Sequence, residues 1–495
     1  MKSVRLGFIA TLALVGTAYA QVPSTNDKSD ERGNTGMGTG ALGKPAASNP
    51  GFYNTASGYQ ALYSNTSEYG DYNTASGSQA LYYNTSGSFN TAAGMQSLYF
   101  NTDGSYNTAA GMQALYNNTD GSYNTASGYY ALLMNTTGGV NTASGASALY
   151  SNTSGSGNSA FGFEANYFNT TGSGNSAFGY QALLGAFTPG TGSYNTAMGG
   201  GALSSDSTGS YNVAAGYYAL FYNTTGSYNV ASGYYALFYN QTGQYNTASG
   251  YEALLSNNGV SNTASGYQAM YSNNTGANNT AIGVHALANN VSGSSNVAEG
   301  WHAGINLTTG SNNIDIGSPG VAGDANTIRV GVQGTQAATF VAGIYGHSLT
   351  GSEVVVTPSG ELGVLSSSER FKTAIAPMGS NTAKLGQLRP VTFKLKADAT
   401  GTRQYGLIAE EVAKVYPELV IRNEAGRIDG VRYDELAPML LNEVQKQERT
   451  IEAQAAEIRA LQVQAHAVAD MQRQLAEMHA ALVKLQAGDE LVAQR

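Results

Sequence analysis

The chain has 495 residues and a formal charge of -9, with 63 glycines, 34 tyrosines, no cysteine and only 11% charged residues. That mixture is too polar and glycine-rich for a packed α/β enzyme and too aromatic for a disordered linker. No lysine or arginine lies between Lys44 and Arg329, so this stretch cannot neutralise phosphates, and nucleic acid and anionic lipid headgroups are poor ligands for it.

The first element, residues 1–20, reads as an export signal. Lys2 and Arg5 precede an apolar run from Leu6 to Val15, and Ala18-Tyr19-Ala20 supplies small residues before Gln21. The run is too short to span a bilayer, and no later segment is apolar enough to do so, which predicts a mature chain without a transmembrane segment. An exported bacterial protein, extracellular or on the cell surface, fits the absence of cysteine.

From Asn34 the phrase N-T-A-x-G-x-x-A-L recurs seventeen times. Its opening asparagines stand 17 residues apart from Asn73 through Asn90, Asn107, Asn124, Asn141 and Asn158 to Asn175. An insert at Gly185-Ala186-Phe187 lengthens the step to Asn195, and one residue is dropped before Asn262. These irregularities fall in the Thr/Ser/Gly-rich half of the unit, which marks that half as loop and N-T-A-x-G as the packed edge.

Within a unit such as Tyr106 to Tyr116, small and apolar side chains alternate briefly and then meet Asn/Thr/Gly turn chemistry, which predicts short strands joined by tight turns. The glycine that recurs at Gly58, Gly77, Gly94, Gly111, Gly128 and Gly145 predicts positive φ or a close backbone approach. Matching asparagines and tyrosines predict ladders along the stack, and these ladders, rather than a deep core, are expected to hold it. Seventeen rungs at about 4.8 Å would make a rod of roughly 80 Å. The unit resembles the left-handed β-roll heads of trimeric autotransporter adhesins, although that family's C-terminal β-barrel anchor is not expected here.

The shaft carboxylates, Glu68, Asp71, Asp103, Asp120, Glu164, Asp206, Glu252 and Glu299, show no pairing at a repeated position, and a glycosidase needs two that converge. The turns carry Asn and Thr where calcium-binding repeats would carry Asp. The N-x-S/T sequons, such as Asn84-Thr85-Ser86, read as turn residues. His285, His302, His347, His466 and His479 are too dispersed along the chain for metal-ligand spacing, so no metal and no cofactor is expected.

Beyond the repeat, the runs T-I-R-V-G-V-Q-G from Thr327 and A-T-F-V-A-G-I-Y-G from Ala338 read as a β neck over 321–365. Next come Ser366-Ser367-Ser368-Glu369-Arg370-Phe371-Lys372, Tyr405-Gly406-Leu407-Ile408-Ala409-Glu410-Glu411-Val412 and Tyr416-Pro417-Glu418-Leu419-Val420. In that order they resemble the intramolecular chaperone domain of phage tailspikes and endosialidases, serine peptidase family seventy-four. The resemblance implies assembly of three chains and self-release by a cut between Ser366 and Ser367. Ser367 would be the nucleophile, Lys372 its base, and Arg370 and Ser368 supporting residues. Many members have Asp where this chain has Ser368. The pairing is chemically sensible, because a serine needs a base and a lysine becomes one when burial lowers its pKa.

After Tyr433-Asp434-Glu435-Leu436, the residues Ile451, Ile458, Leu461, Val468, Leu475 and Leu482 recur at a/d spacing, which predicts a coiled coil over 451–487. The chain is therefore expected to be mainly β. A trimeric β-solenoid or β-roll fibre of 17-residue repeats (34–320) precedes a small α+β chaperone domain (366–450) and a C-terminal coiled coil. The function expected is that of an exported homotrimeric surface fibre, structural or adhesive, whose one enzymatic event is self-cleavage. The alternative is a phage or prophage tail fibre that binds a cell-surface glycan or host receptor.

Overall fold

A computed structural model describes residues 27–43, 51–186, 188–342, 353–357, 359–364, 366–423 and 425–492. The expected export signal lies outside these residues. The chain divides into two units, Met1–Leu349 and Thr350–Arg495.

The first unit is a β-solenoid. Three-residue strands, one per turn of the chain, pair in parallel with the preceding and following turns from Thr35–Met37 to Ile328–Val330. The register is residue on equivalent residue: Thr91 faces Thr108, and Ala92 faces Ala109. The insert leaves it intact, since Ala177 still faces Ala197 across the 20-residue step. At the start of the stack, Asp27–Ser29 adds an antiparallel strand to the first rung. Asp30 then caps the turn by accepting the backbone N–H groups of Arg32 and Asn34, both at 3.0 Å.

The rung from Asn107 to Tyr123 shows why so little of each turn is strand. Thr108 N–H donates to the Asn124 carbonyl and Gly111 N–H to that of Ala93, both at 2.8 Å. Inter-rung bonding continues around the loop half, from Leu115 to Ala131, Thr119 to Thr136 and Tyr123 to Ser105. The chain corners at left-handed residues: Gln113, Leu115 and Tyr123 have φ of 54°, 55° and 61°. Such backbone costs roughly 1–2 kcal/mol per non-glycine residue, an expense offset by hydrogen bonding on both sides of every rung. Gly111, at φ 143°, has no such freedom: a Cβ there would lie 2.4 Å from the Gly128 carbonyl oxygen.

The interior corrects one expectation. The asparagine ladders are present, but so is a continuous apolar core: Ala109, Ala114 and Leu115, and their equivalents along the stack, are fully buried. Each rung is too thin to bury this face alone, so stacking creates the core as well as the ladder. Two asparagine columns flank it. Asn107 Oδ1 accepts the Asn124 N–H at 2.9 Å, and its amide donates to the Gly121 carbonyl at 2.8 Å. Asn118 donates to Asn101 Oδ1 at 2.7 Å and to Gly121 at 2.9 Å, and accepts from Asn135 at 2.7 Å. Outside, tyrosines stack face to face: Tyr106 and Tyr123 at 4.8 Å between ring centroids, Tyr211 and Tyr228 at 5.0 Å.

The expected neck is only partly strand. Ile328–Val330 joins the solenoid as its last rung, whereas Ala338 to Val341 is irregular and exposed. A strand needs a partner edge, and this run has none among the described residues. In the second unit, Val354–Val356 and Leu362–Val364 form an antiparallel hairpin.

The remainder of the second unit is a small α+β assembly. Two antiparallel pairs, Val391–Phe393 with Gln404–Gly406 and Val420–Arg422 with Ile428–Val431, accompany a short helix α1 (Ala409–Val415) and a long helix α2 (Tyr433–Val492). Its core is Val412, Tyr416, Leu419, Val420, Val431 and Met439. The buried Tyr416 keeps its hydroxyl satisfied by accepting the Lys384 N–H at 3.0 Å. Asn442 of α2 donates to Thr382 Oγ1 at 2.6 Å, and Thr382 donates to Glu443 at 3.1 Å, which fixes the start of α2 to the domain.

Candidate functional site

Ser366, Ser367 and Ser368 lead into a single 3₁₀ turn, Glu369–Phe371. Ser368 has extended φ and ψ, and the Lys372 N–H closes the turn on the Glu369 carbonyl. One tight turn reverses the chain enough to return residue 372 over residue 367, and Lys372 Nζ donates to Ser367 Oγ at 3.0 Å. That is the reach required between a nucleophile and its base. Arg370 turns away and lays its guanidinium over the Phe371 ring, 4.7 Å from the centroid. All these residues are exposed.

Residues 367–421 match the family model Peptidase_S74, described as the chaperone of endosialidase. No curated protein matches the chain. The matched segment begins at Ser367 itself and takes in Lys372, α1 and the first two residues of the strand Val420–Arg422. Within it Arg389 grips Glu411 through two hydrogen bonds, of 3.1 and 2.5 Å, holding α1 against the preceding loop.

In the shaft, two carboxylates stand where the repeat would place something else. Asp206 takes a ladder position, accepting from Asn223 at 2.8 Å, and burial pushes its carboxyl well above the usual range. It borders a cavity of about 10 Å³ beside the insert, room for one water. The buried amide nitrogen of Asn166, standing where other rungs carry leucine, has no protein partner there. Asp315 replaces the core alanine at the last rungs, and burial lifts its pKa to about 6. Nearby, Asp324 is paired with Arg329 through bonds of 2.6 and 3.0 Å.

No group of three or more His, Cys, Asp or Glu side chains converges among the described residues. Two of the histidines are nevertheless neighbours, because 17 residues of chain is one rung of rod: the rings of His285 and His302 lie 5.2 Å apart. Spacing counted along the chain hides such a pair.

Proposed function

We propose that this chain is the subunit of a homotrimeric fibre whose endosialidase-chaperone segment aligns three chains and then releases itself between Ser366 and Ser367. The observation that carries the reading is the family match at 367–421 downstream of a seventeen-turn solenoid whose last strand is Ile328–Val330. Unpartnered apolar surface supports the trimer. Val354, Val356, Leu362 and Val364 of the hairpin are all more than half exposed, as are most of the a/d residues of α2, from Ile451 at 64% to Leu475 at 67%. Single solvated helices and two-stranded hairpins are marginal without a covering partner.

In this reading residues 1–20 direct export, 34–320 form the shaft, 321–365 the neck, 366–450 the chaperone and 451–487 a coiled coil. The fibre is extracellular or held at a cell surface. Ser367 attacks the carbonyl carbon of Ser366, Lys372 takes the hydroxyl proton and returns it to the departing amine, and water completes the hydrolysis. The exposure of Lys372 argues that the pair becomes active only when neighbouring chains cover it. Mass spectrometry of the expressed full chain tests the chemistry: a C-terminal fragment beginning at Ser367, missing in Ser367→Ala and Lys372→Ala, is expected. An uncut wild-type chain, or a fragment that persists in either variant, rejects the assigned pair. Light scattering that returns a monomer rejects the trimer.

A further inference from the structure

We propose that His285 and His302 form an open two-imidazole site for a zinc-class cation on the side of the shaft. The two side chains occupy the same position of successive rungs, in a half-buried column that continues from Glu252 and Gln268. Both residues sit at left-handed corners, φ 56° each, so the backbone sends their side chains in the same direction. Their ring centroids are 5.2 Å apart with planes at 76°. In a tetrahedral zinc complex with metal–nitrogen bonds of ~2.0–2.1 Å, each ring centre lies about 3.2 Å from the metal, and two such rings stand about 5 Å apart. The rung spacing therefore sets the separation that bidentate imidazole binding requires.

The surroundings favour a cation. No lysine or arginine occurs in the chain from residue 45 to residue 328, and the nearest charged member of the column is Glu252, whose carboxylate accepts from Gln268 at 2.7 Å. Tyr267 meets His285 edge-on at 5.4 Å, and Trp301 lies flat on His302 at 3.7 Å, 11° from parallel. These contacts hold the imidazoles without using a carboxylate. With two protein ligands, water fills the other positions, so the site is reversible rather than structural. Binding needs neutral imidazole and competes with protons.

Trp301 is the chain's only tryptophan, so its fluorescence reports on the ring beneath it. The test titrates zinc sulfate into metal-free full-length protein, followed by Trp301 emission and calorimetry. One saturable site per chain is expected at neutral pH. His285→Gln and His302→Gln should each weaken binding by more than about tenfold. Glutamine is already native to this column, where Gln96 donates to Gln79 at 3.0 Å and Gln113 to Gln96 at 2.7 Å, so both variants should fold and keep the parent's thermal melt without zinc. Absence of saturable binding, or undiminished affinity in either variant, overturns the proposal and leaves an edge-to-face aromatic pair.

Discussion

At the scale of single residues, the repeat makes unequal demands on positions that look equally regular. Gly111→Ala would drive a methyl group into the backbone of the next rung, and no rotamer relieves that. Leu115→Ala leaves a cavity and should cost about 2–5 kcal/mol. Denaturant unfolding should therefore rank the glycine variant as the more damaging; the reverse order would mean that rungs slide apart easily. The buried acids carry a pH signature. Because burial raises the folded-state pKa of Asp206 and Asp315, the native state binds protons more tightly than the unfolded chain. Stability is then fullest below the unfolded value near pH 4 and declines as pH rises through the folded value, about 6 for Asp315. Asp315→Asn should remove its share, a gain of up to about 3 kcal/mol at pH 7. Melting curves from pH 4 to 7 should diverge between wild type and variant, and parallel curves would contradict the buried ionisation. The ladder asparagines, the stacking tyrosines and the recurring glycine were legible because their chemistry repeats with the period. The left-handed corners at Gln113, Leu115 and Tyr123 were not, since nothing in a leucine or tyrosine announces positive φ.

At the scale of elements, the strands of the shaft could be read from alternation and turn chemistry, and their brevity follows from corners that interrupt extended backbone. The Ala/Ala/Leu core was hidden for a related reason: two alanines and a leucine per 17 residues look too few until they are stacked into columns. The chaperone segment was legible as a succession of motifs, whereas the proximity of Ser367 and Lys372 depends on the turn at Glu369–Phe371, which the letters S-S-S-E-R-F-K do not specify. In α2 the a/d residues lie exposed on a helix of 60 residues. Leu461→Glu together with Val468→Glu should dissociate a trimer held by that seam while leaving the 1–349 unit's far-ultraviolet spectrum in place. Sedimentation that still returns the wild-type assembly would assign trimerisation to the hairpin or the chaperone segment instead.

For the whole molecule, in-register parallel stacking of near-identical rungs is slow to align and prone to slip, because every neighbouring register offers similar contacts. A shaft expressed without residues 366–495 is therefore expected to give a heterogeneous, partly aggregated product by size-exclusion chromatography; a homogeneous trimer would remove the need for a chaperone. The same stacking also fixes how the rod responds to load. Its inter-rung hydrogen bonds run along the rod, and each rung is one uninterrupted length of chain, so tension applied at the ends peels rungs singly rather than shearing many together. A released rung of 17 residues yields roughly 60 Å of extended chain in exchange for about 5 Å of rod. Pulled in an optical trap, the shaft should lengthen in a staircase of near-equal steps, with a longer tread at the insert between Leu184 and Thr191. Such a rod yields by degrees, and its extension under a known force would count the turns still wound.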